Sequence, residues 1–181
     1  MKKIDNVVEK VLISEEEIKE GVKRLAAEID RDYEGKNPML VSVLSGSFIF
    51  VADLMREMKT LSQISFIFAS SYGNGSVSSG NVEIRAGKGF EPEGRDIIIV
   101  EDIIDSGRTL SKLKEYLSDC GANSVEICTF LDKPSRRVVD VDVKYTGFQI
   151  PDEFVVGYGL DYDYKYRQFP YVGVLKRKVY E

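Results

Sequence analysis

The chain has 181 residues, enough for one domain that buries about 70% of the surface its unfolded form would expose. It contains no histidine, which excludes imidazole-based nucleophilic triads and the common histidine-ligated metal sites, and leaves carboxylate, lysine, tyrosine or cysteine as general base. The net charge of −5 argues against a nonspecific nucleic-acid binder, and the longest apolar run, Phe48 to Ala52, falls far short of the ~20 residues of a membrane span. Met1, Lys2 and Lys3 lead into polar Asp5 and Asn6, so no signal-peptide core develops. Cys120 and Cys128 match no zinc pattern and are expected to be reduced in a cytoplasmic protein.

Ser14 followed by Glu17 is a capping-box pattern, and Ile18, Val22, Leu25 and Ile29 then share one helical face, which predicts an amphipathic helix packed on a sheet. Met39 to Leu44 reads as a core strand, Ser45, Gly46 and Ser47 as a tight loop, and Phe48 to Met58 as a helix dense in apolar residues. A second strand covers Ile64 to Ala69. From Ser70 to Gly80 no periodicity remains, and the stretch reads as a long mobile loop, either a lid or a hairpin tip. Val82 to Arg85 is expected to return as a strand, with a turn from Gly87 to Gly94.

Ile97, Ile98, Ile99 and Val100 form a strand buried on both faces, and Leu110, Leu113 and Leu117 repeat at helical spacing beyond it. Between them, Glu101 to Thr109 crowds three carboxylates, a glycine, an arginine and two hydroxyls into nine positions. Taken singly, Glu101 and Asp102 would end a core strand and Ser106 would cap a helix. Together, hydroxyls, glycine and unpaired N–H groups at a helix start suit a phosphate monoester, and the paired carboxylates offer oxygen ligands to magnesium. No P-loop pattern occurs in the chain.

Gly121 ends the central helix, Ser124 to Leu131 form another strand, and Val139 to Val143 and Lys144 to Phe148 are short extended pieces. Phe154 to Gly157 and Tyr171 to Leu175 supply the remaining strands. Strands alternating with helices predict an α/β fold, a doubly wound, mainly parallel sheet with helices on both faces and the 70–85 hairpin as an insertion. Ligands then lie beyond the carboxyl ends of the strands, where the loops after Leu44, Ile104, Leu131 and Val156 should converge. Arg136 and Arg137 read as a solvated basic pair without a role.

The run Val100, Glu101, Asp102, Ile103, Ile104, Asp105, Ser106, Gly107, Arg108 and Thr109 resembles the phosphoribosyl pyrophosphate signature of type I phosphoribosyltransferases, in the hypoxanthine-guanine branch, and the resemblance extends over nearly the whole chain. It implies a single phosphoribosyltransferase domain with a small hood, using Mg²⁺ and phosphoribosyl pyrophosphate with hypoxanthine or guanine. It also implies a homodimer or homotetramer, and neither nucleic acid nor membrane as partner. Glu101, Asp102 and Ile104 to Thr109 would bind the phosphoribosyl group, with Asp105 accepting a proton from purine N7. Ser45, Gly46 and Arg167 would face pyrophosphate, the Leu44–Ser45 peptide being cis. Lys133, Phe154, Val155 and Asp161 would form the purine pocket, and Glu101, Asp102 and Asp161 would ligate metal. Ser70, Ser71, Tyr72 and Gly73 would belong to a closing lid. The chain departs from the pattern at Ser45, where family members usually carry lysine or arginine. The alternatives are a phosphoribosyl pyrophosphate-sensing regulator, a xanthine-preferring transferase and a receiver domain, whose phosphoacceptor arrangement leaves Ser106 to Thr109 unexplained.

Overall fold

The structure, a computed structural model, describes residues 6–71, 82–87 and 89–180. In chain order the elements are β1 (Val8–Ile13), α1 (Glu15–Asp32), β2 (Met39–Leu44), α2 (Phe48–Glu57), β3 (Gln63–Ser71), β4 (Val82–Ala86), β5 (Asp96–Ile104), α3 (Arg108–Asp119), β6 (Ser124–Asp132), β7 (Tyr145–Gln149), β8 (Val155–Val156) and β9 (Val172–Leu175). Six strands form one sheet in the order β4-β3-β2-β5-β6-β7, parallel throughout except for the antiparallel β3–β4 edge.

The centre of this sheet follows from the run Ile97 to Val100, each residue fully buried. Because successive strand side chains point to opposite faces, Ile98 and Val100 join Leu40 and Phe130 under α1 and α2, while Ile97 and Ile99 join Val41 and Ile127 under Leu110, Leu113 and Leu117 of α3. A continuous apolar strand therefore needs helices on both faces, and has them. The α1 start carries the full capping box: Ser14 Oγ accepts the Glu17 N–H at 3.2 Å, and Glu17 accepts the Ser14 N–H at 2.8 Å. Such caps stabilise by about 1 kcal/mol.

A second, antiparallel sheet in the order β1-β9-β8 makes the hood. The sequence reading missed β1, and the strand at Val155–Val156 belongs to this hood rather than to the main sheet. The loop after Val156 therefore reaches the site from above, while those after Leu44, Ile104 and Asp132 reach it from the main sheet's carboxyl edge. No strand forms between Val139 and Val143. Ser70 and Ser71 lie in β3, paired with Glu83 and Val82, rather than in an aperiodic loop; Tyr72 and Gly73 lie outside the described residues. Among the described residues no helix is long and apolar enough to cross a membrane.

Candidate active site

β5 continues past its apolar run to Ile104, paired with β6 as far as Ile104↔Asp132, so Glu101 and Asp102 are strand residues and not part of a loop. The chain then turns through Asp105 and Ser106 into Gly107, whose φ of 80° is open to glycine at little cost, and enters α3. Gly107 at the N-cap offers no side-chain cap, and the Arg108 N–H donates a long bond to Ser106 Oγ at 3.4 Å. Oriented N–H groups at the start of a 12-residue helix favour an anion.

This turn floors a cleft of about 310 Å³ lined by Ser45, Gly46, Glu101 to Gly107, Thr109, Asp161 and Arg167. The cleft thus gathers most of the expected phosphoribosyl, pyrophosphate and metal residues from β2, β5 and the hood. Arg108, Lys133, Phe154 and Val155 lie outside its lining.

The Leu44–Ser45 peptide is cis. Gly46 follows it in van der Waals contact with Asp102: a Cβ there would sit 1.5 Å from Asp102 Oδ2, so only glycine fits. On the other side, Gly46 O lies where a Cβ on Gly159 would be 2.1 Å away, so the hood rests directly on this loop. Asp161 and Arg167 are held in the hood by each other, at 2.8 Å; Asp161 Oδ2 also accepts the Tyr164 N–H at 2.8 Å, and Arg167 donates to Gly159 O at 2.5 Å.

Burial, followed by the neighbouring Asp102 charge, pushes the Glu101 carboxyl well above its usual range, and burial raises Asp102 as well. Asp102 Oδ1 accepts the Ile103 N–H at 2.8 Å. Two carboxylates sharing one buried corner carry an excess of negative charge that a cation relieves, so this pair fits magnesium, whose remaining ligands would come from phosphate and water. Asp161, with Oδ2 accepting a hydrogen bond and Oδ1 ion-paired with Arg167, retains only its other lone pairs for a metal. Among the described residues no group of three or more metal-ligating side chains occurs.

Lys133 follows β6 and is buried, its Nζ 3.8 Å from Asp105 Oδ1 and 3.9 Å from Asp152 Oδ1. Among the described residues Asp105 Oδ1 is the buried side-chain oxygen without a hydrogen-bond partner, with Lys133 Nζ facing it at 3.8 Å. Phe154 is 39% exposed, stacked on Tyr180 with centroids 4.9 Å apart and meeting Tyr162 edge-on at 5.6 Å. The Leu175 N–H donates to Phe154 O, so alternation along β8 turns the Val155 N–H and C=O away from β9, toward the free edge of the hood sheet.

The sequence reading missed Tyr180 and above all Arg137. Arg137 is not solvated: its side chain is 19% exposed, ion-paired with Asp132, and donates to Asp105 O at 3.1 Å. Arg136 is half-exposed but also engaged, facing Asp105 at 3.8 Å and Asp152 at 3.4 Å.

The phosphoribosyl transferase domain family matches residues 12–163. The chain belongs to the phosphoribosyltransferase family. It is 52% identical over 174 residues to the hypoxanthine-guanine phosphoribosyltransferase of Bacillus subtilis strain 168, covering 96% of this chain and 97% of that one. It is 49% identical over 175 residues to the bifunctional protein TilS/HprT of Listeria monocytogenes serotype 4b strain F2365, covering 97% of this chain and 27% of that protein. The chain thus spans about a quarter of the length of the Listeria bifunctional relative. A crystal structure of a hypoxanthine phosphoribosyltransferase from Staphylococcus aureus superposes with a TM-score of 0.95 at 44% identity, covering 99% of this chain and 98% of that one. The mainly parallel sheet with helices on both faces is the fold of this family.

Proposed function

We propose that the chain acts in purine salvage, transferring the 5-phosphoribosyl group of phosphoribosyl pyrophosphate to hypoxanthine or guanine and releasing pyrophosphate with inosine or guanosine monophosphate. The observation that carries this reading is the adjacency of two recognition elements. An anion-binding helix start at Ser106 to Thr109 follows directly on Asp105, whose unpartnered oxygen faces the buried Lys133.

In this reading the 5′-phosphate rests on the N–H groups and hydroxyls of Ser106 to Thr109, and the ribose hydroxyls face Glu101 and Asp102. Arg167 and the main chain at Ser45 and Gly46 take the pyrophosphate, with backbone donors standing in for the cation that family members usually carry at Ser45. Lys133 donates to the purine 6-oxo group, Phe154 stacks on the ring, and the Val155 main chain reads the ring's edge. As purine N9 bonds to the anomeric carbon and the bond to pyrophosphate breaks, Asp105 takes the N7 proton, the role left to a carboxylate in a chain without histidine. Mg²⁺ held by Glu101 and Asp102, with a second at Asp161, would neutralise charge on the departing pyrophosphate. The residues themselves contribute orientation, holding acceptor and donor at one carbon.

A homodimer or homotetramer is part of the same proposal. Ile64, Phe66 and Phe68 form an exposed apolar stripe on one face of β3, a face that a second copy would cover.

The test is nucleotide formation with magnesium phosphoribosyl pyrophosphate and hypoxanthine, guanine, xanthine or adenine in parallel. Product from the first two is expected, and product mainly from xanthine would move the specificity. Donor binding without product from any base would turn the reading toward a regulator.

A further inference from the structure

The segment that carries Lys133 returns along the outside of the phosphate loop and is hydrogen-bonded to the carbonyls of Ile104, Asp105 and Ser106. The Lys133 N–H donates to Ile104 O at 3.0 Å, Arg137 Nε to Asp105 O at 3.1 Å, and the Val138 and Val139 N–H groups both to Ser106 O at 3.0 Å. Gly107 closes the contact, since a Cβ there would meet Val139 O at 2.7 Å and Arg137 Cδ at 3.0 Å. Lys133 and Arg136 of this strap face the Asp105 carboxylate at 3.8 Å, whereas Arg137 donates a hydrogen bond to the loop's main chain. Its guanidinium is anchored on Asp132, itself only 12% exposed and next in sequence to Lys133. A half-buried arginine that uses separate donors for a carboxylate and a carbonyl fixes the distance between the two groups.

We propose that Arg137 is a positioning residue. It holds the Asp105–Gly107 turn in its phosphate-binding form, and through Asp132 it ties that form to the position of Lys133, so that the ribose-phosphate and base subsites keep one spacing. The proposal rests on the reading of Ser106 to Thr109 as the 5′-phosphate site and deepens it. Arg137 touches no substrate atom; its effect runs through the Asp105 carbonyl and the direction of the N–H groups that follow.

The experiment compares binding of inosine 5′-monophosphate and inosine by calorimetry to the parent chain, Arg137→Lys and Asp132→Asn. Lysine keeps the charge against Asp132 but cannot serve both the carboxylate and the carbonyl. Arg137→Lys is expected to weaken monophosphate binding by about tenfold to a hundredfold, the scale of one charge-assisted hydrogen bond, and nucleoside binding by no more than about threefold. Asp132→Asn should act in the same direction, and the double variant should be no worse than Arg137→Lys, because both act through one chain of bonds. A residue that only stabilised the fold would lower the melting temperature and leave the ratio of the two affinities unchanged, which would overturn the proposal. A parent chain that does not prefer the monophosphate would overturn the phosphate-loop reading and Arg137's role with it. A parent that prefers it, with Arg137→Lys unchanged, would overturn the role of Arg137 alone.

Discussion

Replacing Gly46 with alanine tests how tightly the pyrophosphate loop, the acidic pair and the hood are stacked. The new methyl would lie 1.5 Å from Asp102 Oδ2 and 2.5 Å from its Cγ, against an ordinary contact of 3.4 Å or more, so about 2 Å of movement is needed. Asp102 can withdraw only by giving up the 2.8 Å bond from the Ile103 N–H. On its other side the loop meets Gly159, where there is no room for a Cβ beside Gly46 O. Overpacking plus the strained bond to a carboxylate should cost about 3 kcal/mol of stability, which for a chain of this size is a melting shift of roughly 6–12 °C. Since a misplacement of about 1 Å at a reacting centre costs on the order of 10²-fold in rate, turnover measured well below the melting temperature should fall by about 10²-fold or more. The assay is nucleotide formation at 25 °C beside a thermal melt, with Ser45→Ala as the exposed neighbouring control. Activity and melting temperature both within error of the parent would refute the close stacking of Gly46 on Asp102.

Asp105→Asn should lower turnover by about 10² to 10⁴, the range for loss of a general base, and unchanged turnover would remove Asp105 from proton transfer. Phe154→Ala should raise the KM for the base by an amount equivalent to about 1–3 kcal/mol of stacking while sparing the donor; an effect confined to phosphoribosyl pyrophosphate would displace Phe154 from the base pocket. The Ser124 hydroxyl and then the Asn123 amide, each 2.6 Å away, hold the Asp96 carboxyl below its usual range. Its folded pKa therefore lies under the unfolded value, and its stabilisation is full above that unfolded value, near 4, and is lost as pH falls through the folded pKa. Asp96→Asn should cost about 1 kcal/mol at pH 7, with the two unfolding curves converging as pH falls through the folded pKa. A difference that persists at low pH would place the effect in packing rather than charge.

What the sequence disclosed were features whose partners are near in the chain or whose pattern is periodic. The Ile97–Val100 run, the capping box at Ser14 and Glu17, and the leucines of α3 each appear where their local pattern puts them. The crowding of Glu101 to Thr109 marked the site because several ligand-binding groups fell within one turn. β1 escaped notice because its residues alternate only weakly and its partner, β9, lies far along the chain. Arg137 escaped for a similar reason: its burial depends on a carbonyl 32 residues upstream, and nothing within Lys133 to Val139 distinguishes it from the more exposed Arg136 beside it. The split between hood and main sheet was also hidden, since Val155 and Val156 look like any short buried strand until β9 is seen to pair with them.

The most direct measurement is a crystal structure of the chain with inosine 5′-monophosphate, pyrophosphate and magnesium. The account predicts the phosphate on the N–H groups of Ser106 to Thr109, the 6-oxo group at Lys133, N7 at the Asp105 carboxylate and the pyrophosphate between Gly46 and Arg167. A nucleotide bound with its phosphate away from the start of α3, or its base away from Lys133 and Phe154, would contradict it.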